Sequence, residues 1–281
     1  MSTSTAETLA PLRDVHASSR LGPYLTDLYG RRSYVWHVAV NELRHRQITS
    51  VLGNLWHLLN PALTIGVYYL IFGPLLGIDR GVDNFLLFLT IGLFIFQFTQ
   101  KATIDGAKSI VTNLGIIRAV RFPRSLLPTT STVTEFLASA PNFVVLYFVA
   151  IVAGVPVSIR WLAMVPVVAI QLVFTLGAAM VAARMAHHFI DTIQILPFVF
   201  RLVLYSSGVI FSVDAYVESD SWVQWLFTLN PMYCYITLAR WSVLGGDFPA
   251  DLLLSGSVWA VAMLVAGFLW FRAAEERYAR D

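Results

Sequence analysis

The chain has 281 residues, of which 57% are apolar and only 13% are charged, and its formal net charge is +2. A soluble domain carries about 25% charged residues, so roughly half of the usual charge is missing. Such a chain has too little polar surface to cover a water-soluble globule, which excludes an ordinary soluble enzyme, a disordered protein and a nucleic-acid-binding protein. The composition predicts a protein whose solvent is largely lipid.

The first segments of the chain are polar. Residues 1–20 lack the apolar core of a signal peptide, and we expect residues 1–30 to form a flexible cytoplasmic N-terminus. Residues 31–57 are predicted to form an amphipathic helix at the membrane interface, with a soluble helix packed on another subunit as the alternative. The apolar side chains that share one face of this helix are Trp36, Val40, Leu43 and Val51.

Six later stretches are apolar and long enough to span a bilayer, which takes about 20 residues per helix. They cover residues 58–76, 85–104, 130–153, 161–183, 193–213 and 254–271. The sequence therefore predicts an all-α fold, a polytopic membrane protein with six transmembrane helices between residues 58 and 271. Prolines inside these stretches do not exclude them, because neighbouring helices can satisfy the freed carbonyl groups.

Lysine and arginine residues are distributed unequally between the two predicted sides of the membrane. With the N-terminus inside, fifteen fall on the inner side, which includes the tail at 272–281, and three fall outside, at Arg80, Arg160 and Arg240. This asymmetry follows the positive-inside rule, so both termini are predicted to be cytoplasmic.

Two charged residues, Glu135 and Arg201, are predicted to lie deep in the membrane. A lone charge at that depth costs about 3 kcal/mol or more. We therefore expect Arg201 either to pair with Glu135 or to face an aqueous path.

The loop between the fifth and sixth spans contains two further apolar segments. Residues 221–227 and 232–244 are too short to cross a bilayer and are separated by Asn230 and Pro231. Segments of this length are typical of re-entrant or interfacial helices. We expect a pair of short helices that dip into the outer leaflet.

The sequence lacks the motifs of a catalytic site. Residues 106–109 (GAKS) resemble a phosphate-binding loop but lack its GK dipeptide and upstream glycine. His187, His188 and Asp191 are interpreted as a polar turn rather than a metal site, and the single Cys234 excludes a cysteine metal framework. We predict no metal and no cofactor on this chain, so any ATP chemistry must lie on a different chain.

Four strings, in this order, resemble the ABC-2 type permeases over about residues 30–272. They are TSVLGNLWHLLNPAL (49–63), NLGIIRAVRFPRSLLP (113–128), SSGVIFS (206–212) and LNPMYCYITLAR (229–240). Within that family the chain is most similar to the Wzm-type transmembrane subunits, which export lipid-linked polysaccharide and are related to the teichoic-acid and O-antigen exporters. The resemblance favours galactan as the glycan.

The resemblance implies a homodimer that associates with two copies of an ABC ATPase subunit, and the ATP and Mg bind to that subunit. It also implies a lipid-linked polysaccharide substrate, contact with membrane lipids and no nucleic acid. An ABC-2 exporter of drugs or small lipids is an alternative with the same fold. A membrane acyl- or glycosyltransferase would need a cluster of His, Asp or Glu at one face, which the sequence does not show.

The resemblance further assigns roles at the inner side. Residues 109–124 are identified as a coupling helix that docks on the ATPase, the alternative being a basic loop with no partner. Its apolar knob would be Ile116, Ile117, Phe122 and Pro123, and its polar rim Arg118, Arg121 and Arg124. The pyrophosphate of the lipid carrier would be held by Arg31, Arg32, Arg44 and Arg46.

Aromatic side chains are the candidates for contact with the glycan, because their flat faces bind the C–H surfaces of sugars. The predicted translocation path is lined by Tyr68, Tyr69, Phe94, Phe98, Phe198, Arg201 and Tyr205. Outer gate helices are expected at about 215–245, with Trp222, Trp225, Tyr233, Tyr235 and Trp241, although an interfacial aromatic belt would have the same composition.

Overall fold

The computed structural model describes residues 21–47, 56–71, 84–120, 122–213, 222–275 and 278. In this part of the chain there are twelve α-helices and no strand, so the predicted all-α fold is confirmed. The helices are α1 (Leu21–Gly30), α2 (Arg32–Gln47), α3 (Trp56–Leu70), α4 (Phe85–Val111), α5 (Leu114–Ala119), α6 (Leu126–Ala138), α7 (Ala140–Val152), α8 (Met164–His188), α9 (Thr192–Ser206), α10 (Trp222–Thr228), α11 (Pro231–Leu244) and α12 (Ala250–Ala273).

Four helical segments of the described chain are long and apolar enough to cross a membrane. They are Phe85–Val111, Leu126–Val152, Ile159–His188 and Ala250–Ala273. The second of these consists of α6 and α7, which meet at Ser139 because Pro141 cannot donate a backbone hydrogen bond inside a helix. These segments coincide with the predicted second, third, fourth and sixth spans.

The other two predicted spans correspond to shorter helices. α3 and α9 have 15 residues each, or about 22 Å at the rise of an α-helix, against a bilayer core of about 30 Å. The prediction for α3 continues into residues 72–76, which lie outside the described residues. α9 ends at Ser206 because Gly208 has a φ of +60°, a left-handed conformation that glycine adopts readily and that ends the helix.

α4 is the central helix of the bundle. It packs against α8, α6, α11, α3, α9 and α7, and its side chains from Leu87 to Phe96 are all buried. Asn84 caps its first turn, with its side-chain oxygen accepting from the backbone N–H of Leu87 at 3.3 Å. A helix that is apolar on every side in this way belongs in the interior of a bundle.

Small residues allow the long helices to approach closely. A Cβ atom added to Gly177 of α8 would overlap the backbone of Met263 on α12, and one added to Gly106 of α4 would lie 2.6 Å from the Cβ of Ala179. Polar groups add to the α4–α8 contact: the Gln171 amide donates to the carbonyl of Ile95 at 2.6 Å and to the Thr99 hydroxyl at 2.9 Å. Small residues and buried hydrogen bonds are the usual means of helix association in membranes.

The bundle has two ends, which we name after short helices. The α5 end carries α1, α2, α5, the C-terminal segment after α12 and the α8–α9 turn, and the α11 end carries α10 and α11. On α2, Val35 and Ala39 are buried against the bundle, whereas Trp36 of the predicted apolar face is 53% exposed and Val51 lies outside the described residues.

The predicted pair of short helices is present at the α11 end. α10 and α11 are separated at Asn230, whose side chain accepts from the backbone N–H of Met232 at 3.0 Å, and Pro231 occupies the first turn of α11. α11 does not lie on the surface, because ten of its fourteen residues are buried among α4, α8 and α12.

Candidate functional site

Residues 109–124 do not form one continuous helix. They comprise the last turn of α4, a turn at Thr112 and Asn113, the six residues of α5, and an extended stretch that begins at Val120. The predicted coupling helix is therefore shorter than its sequence range, because Asn113 favours a turn and Pro123 disfavours helical conformation in the residue before it.

The side chains of this segment face two directions. Ile116 is 49% exposed, Val120 is 57% exposed and Arg118 is also exposed, so these three lie on one exposed face, which we call the α5 face. Ile117 and Pro123 are buried within the chain. Phe122 is half-buried against a cluster that includes Ile117, and Arg121 lies outside the described residues.

A hydrogen-bonded cluster holds the chain just after the α5 face. Glu275, which follows α12, accepts from the backbone N–H of Arg124 at 2.7 Å and from the Tyr24 hydroxyl at 3.1 Å. Tyr24 also shares a hydrogen bond of 2.7 Å with Ser125. This group, the tail cluster, ties α1, the segment after α5 and the end of α12 together.

The electrostatics of the tail cluster follow from its burial. Burial raises the pKa of Glu275 above its ordinary value, although the N–H of Arg124 and the Tyr24 hydroxyl partly offset this effect. Burial likewise raises the pKa of Tyr24, and the Glu275 carboxylate adds to that shift. The Arg272 guanidinium lies 5.0 Å from the centre of the Tyr24 ring and supplies a cation beside the cluster.

The predicted pyrophosphate-binding arginines lie on and beside α2. The Arg31 guanidinium pairs with Asp27 at 3.1 Å, and Arg32 lies over the Tyr29 ring at 4.4 Å. Arg44 is exposed, and the side chain of Arg46 lies outside the described residues. Arg31 is thus partly neutralised, and the described contacts do not bring Arg31, Arg32 and Arg44 together at a single point.

A cavity of about 440 Å³ opens between α2, α3, α4 and the α6–α7 segment, and we call it the polar cavity. One wall is a face of α4 that runs from Gln97 to Lys108, and the opposite wall runs from Glu135 to Asn142. The lining residues are Leu43, Trp56, Asn60, Pro61, Gln97, Phe98, Gln100, Lys101, Ile104, Asp105, Lys108, Glu135, Ala138, Ser139 and Asn142.

Arg201 and Glu135 do not form an ion pair in the described structure, so the predicted pairing is wrong. Glu135 is buried on α6, whereas Arg201 is exposed on α9, with its guanidinium 5.5 Å from the centre of the Phe198 ring. The two helices have different neighbours, because α9 packs on α4 and α8. Arg201 therefore lies on the outer surface of this chain.

The predicted path residues divide between the surface and the interior. Phe198 (64% exposed) and Tyr205 (54% exposed) form one face of α9 together with Arg201, and we call it the α9 face. Tyr69 is at the surface and Tyr68 is half-buried. Phe94 and Phe98 are 2% and 4% exposed and pack inside the chain, so they do not line a path outside it.

The predicted gate aromatics divide in the same way. Trp222 and Trp225 are exposed on α10, whereas Tyr233 and Tyr235 are buried on α11, and Trp241 is half-buried. The Tyr235 hydroxyl donates to the carbonyl of Gly256 at 2.8 Å, which ties α11 to α12. Tyr233 and Trp241 line a second cavity of about 370 Å³ beside Asp247 and Asp251.

Arg240 does not lie in an outer loop, as the sequence predicted, but inside the bundle on α11. Its guanidinium donates to the carbonyls of Gly208 and Val209 at 2.9 Å each, and it lies 3.3 Å from the centre of the Phe88 ring. The carbonyls after α9 thus have a cationic partner. A Cβ on Gly92 would lie 2.8 Å from this guanidinium and 3.1 Å from the carbonyl oxygen of Val209, so a larger residue there would displace one of the two groups.

Sequence reasoning missed the polar cavity and the tail cluster. The wall of the cavity was visible as polar residues at helical spacing inside an apolar span, at Gln97, Gln100, Lys101 and Asp105. The tail cluster joins residues 151 positions apart in sequence, and no local pattern reveals such a pairing. Among the described residues, no group of three His, Cys, Asp or Glu side chains could hold a metal ion.

The comparison with protein families identifies the class of protein. The model of the ABC-2 type transporter family matches residues 35–244, so the chain belongs to that family, as its four strings indicated. It is therefore a non-catalytic, multi-pass membrane subunit of a transporter.

Particular relatives narrow the comparison. The chain is 28% identical over 242 residues to an O-antigen export system permease protein of Klebsiella pneumoniae. The aligned region covers 85% of this chain and 90% of that protein. It is also 28% identical over 261 residues to an O-antigen export system permease protein of Myxococcus xanthus. That aligned region covers 91% of this chain and 97% of the relative.

Proposed function

We propose that the chain is the permease subunit of an ABC transporter that exports a lipid-linked polysaccharide, with galactan as the expected glycan, across the cytoplasmic membrane. The observation that carries the proposal is the similarity over nearly the whole length of two O-antigen export permeases. The absence of a phosphate-binding loop from the sequence supports a separate ATPase subunit that binds ATP and Mg.

The proposed membrane arrangement has six spans, with both termini in the cytoplasm. The distribution of lysine and arginine supports it, and so does the alternation of the helices between the α5 and α11 ends. The α5 end is then cytoplasmic, α2 lies along the inner interface, and α10 and α11 form the outer gate region. Arg44, exposed on α2, is available to the pyrophosphate of the lipid carrier.

The α5 face is the proposed docking surface for the ATPase. It combines two exposed aliphatic side chains with a cation. Exposed aliphatic side chains next to each other are typical of a surface that binds another protein, because they are unfavourable in water. The tail cluster directly behind it fixes the position of the following backbone through Arg124. A docking surface with a rigid support can transmit the movement of a partner into the bundle.

The proposed path runs between two copies of this chain, along the α9 face. The supporting observation is a stripe of exposed aromatic rings with one cation, Arg201, which pairs with no acid of the described chain. Exposed aromatics can slide along sugar faces at low conformational cost. A second copy would shield Arg201 from lipid, where an unpaired cation is costly.

The double variant Ile116→Asp, Arg118→Glu tests the docking surface. Both changes place acidic groups on the α5 face, so we expect loss of co-purification with the ATPase subunit and at least about a tenfold drop in export. The measurements are pull-down of the tagged permease and surface polysaccharide in cells.

Ile159→Asp is the matched control, because Ile159 is 83% exposed at the α11 end and should leave ATPase binding unchanged. Normal ATPase binding and export by the double variant would contradict the assignment of the α5 face.

Deletion of the whole chain tests the function itself: surface polysaccharide should disappear while lipid-linked glycan accumulates in the cytoplasm.

A further inference from the structure

The polar cavity opens at the surface of an apolar bundle, where Asn60 and Lys101 are exposed, and its presence there needs an explanation. Its α4 wall extends from Gln97 to Lys108, about 16 Å along the helix, and reaches the middle of α4. Its volume of about 440 Å³ lies within the range of small-molecule sites, about 300–1,000 Å³. Polar side chains on a membrane-spanning segment are costly unless they meet a partner.

Several of these polar side chains have no partner within the described protein. The amides of Gln97, Gln100 and Asn142 make no hydrogen bond with any described residue, and Asn142 is only 8% exposed. The ammonium group of Lys101 likewise makes no ion pair with a described residue. Their donors and acceptors are therefore available to whatever fills the cavity.

The charges of the cavity select between classes of ligand. Two lysines, Lys101 and Lys108, face two acids, Asp105 and Glu135, so the formal charges of the described lining cancel. Lys108 is moreover paired with Asp105 at 3.2 Å. A phosphate or pyrophosphate needs an excess of cations, which this lining does not offer. The charge balance favours a neutral, polar ligand.

The side-chain types favour hydroxyl groups in particular. An amide both donates and accepts hydrogen bonds, as a hydroxyl does, and four amides line the cavity: Asn60 on α3, Gln97 and Gln100 on α4, and Asn142 on α7. The ring of Trp56, which is 38% exposed, belongs to the same lining and offers an apolar face for C–H groups. Amides, carboxylates and an aromatic ring together are suited to a sugar ring.

We propose that the polar cavity binds a sugar residue of the lipid-linked glycan within a single protomer, with Gln97 and Asn142 as specificity-determining residues. The inference rests on the proposed function, because it concerns the glycan of the proposed substrate. The sugar is held by hydrogen bonds to amides, and the phosphate of the carrier lies outside the cavity. Binding of the sugar in this cavity needs no contact with a second protomer.

Protection of an engineered cysteine tests the proposal. Gln100→Cys places a thiol in the lining, and the wild-type chain gives a low background because its single cysteine, Cys234, is buried. The permease–ATPase complex in lipid nanodiscs is alkylated with a maleimide in the presence of one of three probes. These are a polyprenyl pyrophosphate carrying a galactose disaccharide, the same lipid without sugar, and the free disaccharide.

We expect the sugar-bearing lipid, at ten times its Kd, to slow alkylation about tenfold, and the bare lipid to leave the rate unchanged. Gln97→Leu or Asn142→Leu in the same background should abolish the protection, because leucine offers neither donor nor acceptor. Asn41→Leu, at an exposed asparagine of α2 outside the cavity, is the matched control and should leave it unchanged. Size-exclusion profiles identify any variant that fails to fold, and the two leucine variants provide independent tests.

Two results would overturn the inference. Equal protection by the bare lipid would identify a phosphate site, and no protection by any probe would leave a water-filled cavity. Neither result bears on the proposed function, which fails separately if cells that lack this chain retain normal surface polysaccharide. Protection by the free disaccharide alone would support the inference, since the sugar is the group recognised.

Discussion

Two arginines in apolar segments have opposite environments in this chain. Arg240 is buried and donates to two carbonyls at the end of α9, whereas Arg201 is exposed on the α9 face. A buried cation that satisfies otherwise unpaired carbonyls stabilises the fold, and its loss leaves those groups without donors. An exposed cation with no acid beside it contributes little to stability. Arg240 is thus a structural residue, and Arg201 is available for function.

Arg240→Leu should therefore destabilise the protein. The carbonyls of Gly208 and Val209 would lose their donors, at a cost on the order of 3 kcal/mol. Such a change lowers Tm by about 6 °C or more, measured on the detergent-solubilised protein. The Tm of Arg240→Lys should lie between those of the wild type and Arg240→Leu, because a single ammonium group cannot donate to both carbonyls as the guanidinium does.

Arg201→Gln is the comparison for that prediction. It should leave Tm within about 1 °C while lowering export, since Arg201 is proposed to line the path and is exposed on α9. Equal Tm values for Arg240→Leu and the wild type would show that the contacts of Arg240 do not stabilise the fold.

At the scale of elements, the tail cluster explains how a six-residue helix keeps a fixed position. α5 is too short to be stable by itself, since isolated helices need about 12–15 residues. Its support comes from Ile117 inside the chain, and from Glu275, which holds the backbone that follows. The position of α5 is thus set by the end of α12 and by α1 together.

The burial of Glu275 predicts a dependence of stability on pH. Because its pKa is raised in the folded protein, folding favours the protonated carboxyl. This contribution is complete below the ordinary pKa of glutamate and is lost as the pH rises through the raised value. The Tm of the wild type should therefore fall over that range, and Glu275→Gln should reduce the fall because an amide does not titrate.

The measurement is the Tm of the purified protein from pH 4 to pH 8 in one detergent. Glu275→Gln keeps an acceptor for the N–H of Arg124, so its Tm near neutral pH should equal or exceed that of the wild type. Asp27→Asn is the control, since Asp27 makes only an exposed pair with Arg31. An unchanged pH dependence in Glu275→Gln would contradict the role of this carboxyl.

At the scale of the whole molecule, hydropathy could predict most of the spans but not which side chains face inward. The first half of α4, from Leu87 to Phe96, is apolar on every side and has no periodicity to show that Phe94 packs inside the chain and does not face a path outside it. Arg240 was placed outside because its partners, such as Phe88, are 152 residues away in sequence. Local sequence patterns predict the type and length of each segment, whereas contacts between residues far apart in sequence determine which side chains are buried.

In the proposed homodimer, the α9 face of one protomer faces the second protomer. Leu202 is 72% exposed beside Arg201 and Phe198, so Leu202→Cys should crosslink between protomers with a short bis-maleimide. Val152→Cys is the control, because Val152 is 70% exposed on α7, away from the proposed interface, and should not crosslink. The buried Cys234 should leave the wild-type chain monomeric on denaturing gels, and crosslinking of Val152→Cys alone would contradict the proposed interface.

α12 connects the two ends of this protein as a single rod. It has 24 residues, about 36 Å in length, and Glu275 follows it at one end while Gly256 accepts from Tyr235 near the other. α12 is one uninterrupted helix that packs closely on α8 at Gly177, so an axial displacement at the α5 end is expected to reach the α11 contact. Under the proposed function, the same helix would transmit such a displacement from the end where the ATPase is expected to dock to the end where the glycan is expected to leave.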